Sequence, residues 1–82
     1  TTFYSAKGGV LDGHRRSGIA RVLLHAMMDI CRRKGYRVLA YDTFPNRHPG
    51  MAILGFSEGF RLTAADYNQT MQDWRLRLEI EL

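Results

Sequence analysis

A helix with marked ends, flanked on both sides by strand-like segments, limits this chain to few topologies. Ile19, Leu23, Ala26, Met27 and Ile30 recur at helical spacing, with Arg21, His25, Asp29, Arg32 and Arg33 on the other side. Ser17 is the expected N-cap, because its hydroxyl can accept from an early free N–H. Arg32, Arg33 and Lys34 suit the negative end of the helix dipole, and Gly35 is the expected stop. Before the helix, Phe3 to Leu11 reads as a strand, with a bulge or close backbone approach at Gly8-Gly9. After it, Tyr36 to Phe44 reads as a second strand. Its run Val38-Leu39-Ala40-Tyr41 does not alternate, which places it in the middle of a sheet. Strand, helix and strand over this length make a βαβ unit, expected as a right-handed crossover between parallel strands.

The remainder completes a sheet. Pro45 and Pro49-Gly50 break the chain, and Met51 to Leu54 are expected to form one short helical turn before Gly55. Phe56 to about Ala65 reads as a third strand, and Asp66 to Gln72 as a polar connection. Trp74, Leu76, Leu78, Ile80 and Leu82 then alternate strictly with Arg75, Arg77, Glu79 and Glu81, as in a half-buried strand antiparallel to its neighbour. The expected fold is α/β (α+β): a mixed sheet of about four strands, one long helix in a βαβ unit, and a C-terminal β-hairpin. Residues 1–82 are expected to form a single domain.

Composition narrows the function classes. Hydrophobic residues at 45% and charged residues at 24% fit a globular domain rather than a disordered chain. The longest apolar runs are too short to span a bilayer, and no secretory signal pattern opens the sequence. One cysteine, Cys31, rules out an internal disulfide and fits a reducing, cytoplasmic setting. The chain opens on Thr1 without an initiator Met, so a fragment or a processed chain is expected. The net charge of +4 is uneven: residues 1–42 carry +5 and residues 43–82 carry −1. The excess positive charge lies where an anion would bind.

That place is the turn His14-Arg15-Arg16-Ser17-Gly18-Ile19-Ala20, leading into the helix. A helix start presents unpaired backbone N–H groups and the positive end of the dipole to one point, which suits a phosphate or pyrophosphate. Gly18 lets the backbone approach a bulky anion, Ala20 is the next smallest choice, and Arg15 and Arg16 can add charge-assisted contacts. The C-terminal ends of the two expected parallel strands meet this turn, where open α/β sheets collect ligands. His14, His25, His48 and Cys31 show no metal-ligand spacing, so no metal is expected. Phe3, Tyr4, Phe56 and Phe60 read as core rather than as stacking platforms for nucleic acid.

With the elements in this order, the chain resembles the GCN5-related N-acetyltransferases, the GNAT superfamily. The resemblance rests on Arg15-x-x-Gly18-x-Ala20 between a strand and a long helix, then strand 36–44, Asn46, Gly55-Phe56 and two terminal strands. It covers nearly the whole chain and corresponds to the C-terminal half of that fold. It implies acetyl transfer from acetyl-CoA to an amine acceptor. It further implies that amides around Arg16, Ser17, Gly18, Ile19, Ala20 and Arg21, with Arg15, hold the pyrophosphate, and that main-chain groups of Val10 and Leu11 hold the pantetheine. Asn46 would mark the start of the cofactor-facing short helix.

One position departs from the family pattern. A tyrosine acid often stands four residues before the Gly-Phe pair; here that position is Met51, which cannot donate a proton. No catalytic base or acid is assigned by sequence, with Tyr41 read as a packed strand residue and His48 as an exposed loop residue. Two other function classes remain open: a non-catalytic CoA- or nucleotide-binding module, and a basic nucleic-acid interaction domain. Unpaired sheet edges, with strands 74–82 and 3–11 as candidates, predict a homodimer.

Overall fold

The computed structural model describes residues 1–5 and 18–82. The expectations for Gly8-Gly9, for strand residues 6–11 and for the turn residues 12–17 lie outside the described residues. Six elements follow in order: β1 (Thr2–Ser5), α1 (Ile19–Arg33), β2 (Val38–Thr43), α2 (Pro49–Ser57), β3 (Arg61–Asn68) and β4 (Asp73–Glu81). The four strands form one sheet in the order β1-β2-β4-β3. β1 runs parallel to β2, with Phe3 opposite Leu39, and the other two pairings are antiparallel. This is the mixed sheet with a C-terminal hairpin that the sequence predicts, carrying two helices rather than one.

The two helices end in the same way. Gly35 has φ 87° and Gly59 has φ 93°, a conformation that L side chains rarely adopt. After α1, the Gly35 N–H donates to Arg32 O (3.1 Å) and the Tyr36 N–H to Cys31 O (3.0 Å). After α2, the Gly59 N–H donates to Phe56 O (3.2 Å) and the Phe60 N–H to Gly55 O (2.9 Å). Both are Schellman closures, which satisfy the last helical carbonyls and fold the following aromatic residue back over the helix end. The α2 stop at Gly59 overturns two sequence readings. The helix extends over 49–57 instead of one turn at 51–54, with Pro49 tolerated in its first turn, where a missing N–H costs nothing. Phe56 therefore lies in the helix, and β3 starts at Arg61. At its far end β3 continues through Asp66 and Tyr67 to Asn68, so the connection shrinks to residues 69–72.

Both helices pack on one face of the sheet. Leu24, Met28 and Cys31 of α1, Leu39 and Tyr41 of β2, Met51 of α2, Phe60 and Leu78 of β4 form one buried cluster. The buried stripe of α1 is Ala20, Leu24, Met28 and Cys31, one residue out of phase with the predicted stripe. Ile19 and Ile30 are exposed, as is Ala26, while Leu23 and Met27 flank the core. Apolar residues cover more than half of this helix, so two neighbouring stripes fit the period, and contact with Leu39 and Leu78 selects between them. Of the four aromatics expected in the core, Phe60 is buried and Phe3 packs beside the core, edge-on to Tyr36. Tyr4 and Phe56 are exposed.

The opposite face of the sheet is charged. Arg77 Nε and Nη2 donate to the two carboxylate oxygens of Asp42 at 2.8 and 3.1 Å, across directly opposed positions of β2 and β4. Arg75 makes the same two-pronged contact with Asp66 on β3, at 3.1 and 2.8 Å. The Arg77 guanidinium also lies 4.7 Å from the centre of the Tyr4 ring on β1. The alternate arginines of β4 thus link all four strands. β4 lies inside the sheet, which corrects its reading as an unpaired edge; the edges among the described residues are β1 and β3.

Candidate functional site

The start of α1 is an open helix end. Gly18 occupies the N-cap with φ 79° and ψ −7°, no side chain caps the helix, and the first turn holds no acidic residue. The cap thus falls on Gly18, correcting the expectation of Ser17. The Val22 N–H reaches back to Gly18 O at 3.4 Å. The amides of Ile19, Ala20 and Arg21 precede that bond and by helix geometry have no carbonyl partner within α1. They point the positive end of the dipole outward, and no carboxylate in the turn opposes an incoming anion.

A cleft of about 390 Å³ opens at this end, between α1 and α2. Gly18, Ala20 and Arg21 form one wall; Gly50, Ile53, Leu54 and Ser57 form the other. The second set is a single helical stripe, spaced by three and four residues. The walls are mostly apolar, with polar groups concentrated at Arg21 and Ser57. Arg21 is anchored across the cleft by the Glu58 carboxylate, and one of its nitrogens lies 3.5 Å from Ser57 Oγ. His25, one turn further along α1, also contacts Glu58. Glu58 caps the C-terminal end of α2, where a lone carboxylate would be disfavoured by the dipole; the cationic Arg21 offsets that.

The predicted site residues separate into three groups. Gly18, Ala20 and Arg21 line the cleft, and Ile19 lies between them, 44% exposed. Ala20 is also part of the α1 face packed inward. Val10, Leu11, Arg15, Arg16 and Ser17 lie outside the described residues. Asn46 is not among the residues lining this cleft: its amide donates to Asp73 Oδ1 at 2.8 Å. Asp73 also accepts from Arg47 Nε (3.3 Å) and from the Trp74 N–H (2.8 Å). The Asn46 hydrogen bond, more than the arginine charge, holds the Asp73 carboxyl below the usual aspartate range. This cluster ties the β2–α2 loop to the start of β4.

Position 51 does not face the cleft. Met51 is 1% exposed and packs in the core, a third of a turn from the stripe that faces the cleft. The Tyr41 hydroxyl donates to Met51 O at 2.8 Å in the interior, so Tyr41 is a packed strand residue, as expected. Burial pushes the Cys31 thiol up, with Lys34 partly countering, which makes it a packing residue rather than a nucleophile. The sequence reading missed Ile53, Leu54, Ser57 and Glu58. The signal that finds them is Gly59: as the stop of α2, matching Gly35 after α1, it makes the stripe 50-53-54-57 visible.

Comparison with known proteins adds a family. The family model described as acetyltransferase (GNAT) matches residues 9–56, more than half of the chain. That span contains the basic turn, α1, β2 and most of α2, hence both sides of the cleft. No curated protein matches the chain.

Proposed function

We propose, for a chain that belongs to the GNAT acetyltransferase family, that the cleft between α1 and α2 receives acetyl-CoA for transfer of its acetyl group to an amine. The observation that carries this is the uncapped, acid-free start of α1 opening into an apolar cleft within the family match. The fit to the cosubstrate is chemical. Amides at Gly18 to Arg21 suit a pyrophosphate, with Arg15 and Arg16 as the neighbouring cations. The apolar stripe of Ile53 and Leu54 suits the less polar pantetheine arm. Val10 and Leu11 are the main-chain partners proposed for that arm.

Acetyl-CoA would supply an activated thioester, and the described residues lining the cleft would hold its pyrophosphate and pantetheine arm. Among the described residues lining the cleft none is a tyrosine, and Met51 faces the core. Position 51 therefore offers no phenol to protonate a departing thiolate. Residues 1–82 act as one acetyl-CoA-binding unit and contribute little to holding the acceptor. Poor positioning of an amine can forfeit up to about 7–11 kcal/mol of catalysis, so slow transfer is expected. A cytoplasmic setting agrees with the lone, buried thiol. The test is release of free CoA thiol from acetyl-CoA with a panel of primary amines. The reading predicts slow, amine-dependent release that desulfo-CoA inhibits competitively. Release that ignores both amine and competitor would contradict it.

A further inference from the structure

We propose that β3 is a self-complementary edge on which a second copy of this chain docks, extending the sheet antiparallel across a two-fold axis between Thr63 and Ala64. Every residue of β3 from Arg61 to Tyr67 is exposed, although all of them except Thr63 are paired to β4 on the inner side. Such an edge presents unpaired N–H and C=O groups to another strand.

The register follows from an irregularity in the strand. Leu62 lies opposite Leu78, but Ala64 lies opposite Arg77, so β3 carries one extra residue at Thr63. That residue changes which side chains share a face. Leu62, Ala65 and Tyr67, opposite Leu78, Leu76 and Trp74, lie on the face that bears the helices. Arg61, Ala64 and Asp66, opposite Glu79, Arg77 and Arg75, lie on the charged face. Thr63 belongs there too, its hydroxyl donating to the Glu79 carboxylate at 3.0 Å. In a regular strand Arg61 and Asp66 would point to opposite faces; the extra residue brings them to the same one.

A two-fold axis perpendicular to the sheet preserves faces, and directly opposed residues of an antiparallel pair must share a face. Only the register that sets Thr63 against Ala64 of the second copy satisfies this along the whole strand. Shifted by one residue or by two in either direction, some pair joins the two faces. In the permitted register Arg61 opposes Asp66 of the second copy, twice by symmetry. Leu62 opposes Ala65, also twice, and Tyr67 reaches diagonally toward Leu62. Leu62 and Tyr67 are 50% and 45% exposed, so this contact covers apolar surface that the single chain leaves open. Charge complementarity on one face and apolar cover on the other select a second copy of the chain as the occupant.

Sedimentation equilibrium of the full chain and its charge variants tests the proposal. The parent chain is expected to dimerise reversibly. Arg61→Glu and Asp66→Arg each place like charges opposite one another twice, and each is expected to weaken the dimer at least about tenfold. An equimolar mixture of the two variants restores both opposite-charge pairs in the mixed dimer, so association returns. Asp66→Arg also removes the ion pair with Arg75, so folding is checked by circular dichroism. An independent variant, Leu62→Cys with Ala65→Cys, should cross-link between copies under a mild thiol oxidant. A parent chain that stays monomeric, single variants that dimerise unchanged, a mixture no stronger than its parts, or no cross-link would each overturn the proposal.

Discussion

Gly55 on α2 and Leu62 on β3 are close in sequence, yet they meet opposite surroundings. A methyl group at Gly55 would come within 2.8 Å of Leu78 Cδ1 and would overlap the Tyr41 hydroxyl. Leu62 keeps half of its surface in solvent. The layer where α1 and α2 meet β2 is thus fitted to atomic tolerance, whereas the β3 edge tolerates most side chains. Stability resides in the first region, and association and surface chemistry are free to vary in the second. The cleft lies at the rim of the fitted layer. Its walls are positioned by the same contacts that fix the core, while Arg21, Ile53 and Ser57 stay exposed.

Substitutions that probe the fitted layer should have the largest effects. Gly55→Val should lose about 3 kcal/mol of stability, read from denaturant unfolding, because neither Tyr41 nor Leu78 can retreat from the added carbons. A full-strength fold in that variant would show the α2–β2 junction to be looser than drawn. The matching change on the edge, Leu62→Ala, should stay within about 0.5 kcal/mol in the monomer.

Met51→Tyr comes next. The family pattern places a proton donor at this position, but here the larger, polar side chain must enter the core. A loss of about 2 kcal/mol is expected, with no gain in acetyl transfer. Faster transfer with unchanged stability would mean that position 51 reaches the cleft.

The smallest effect concerns the join between the two regions. Asp73 is held below its ordinary range by Asn46, and also by Trp74 and Arg47. A carboxyl depressed in the folded state contributes stability that is fully present above its unfolded value, about 3.9, and is lost as pH falls through the lower folded value. Unfolding midpoints followed downward from pH 5 should therefore fall less steeply in Asp73→Asn than in the parent. Parallel curves would remove Asp73 from the acid response.

Much of this contrast could be read in the chain. The order of elements, the central position of β2 and the terminal hairpin follow from period and punctuation: Gly35 after a basic turn, and the strict alternation from Trp74 to Leu82. The errors have identifiable causes. Gly55 reads as the end of a short helix, whereas Gly59 supplies the positive φ that ends α2; Gly55 is small because Tyr41 lies against it, a tertiary reason that no local signal carries. The sequence signals end the third strand at about Ala65, short of Asn68, because an edge strand exposed on both faces has no hydropathy pattern. The phase of α1 was ambiguous because Ile19 and Ile30 are as apolar as Leu24 and Met28. At the site, the sequence singles out Gly18, Ala20 and Arg21 as part of an anion-binding turn, and in the structure they line one wall of the cleft. The opposite wall depended on the correct length of α2, and Asn46 answers to Asp73, a residue far along the chain.

The central claim is that the cleft between α1 and α2 holds acetyl-CoA, and titration calorimetry with CoA on Ile53→Glu tests it most directly. Ile53 lines the cleft and is 67% exposed, so the change adds a negative charge to the wall without disturbing the core. Gly18 is less suitable, because any L residue at φ 79° strains the helix start. The account predicts that the parent chain binds CoA and that Ile53→Glu, with an unchanged Tm, binds it at least about tenfold more weakly. Equal affinity in the two proteins, or no CoA binding by the parent, would contradict it.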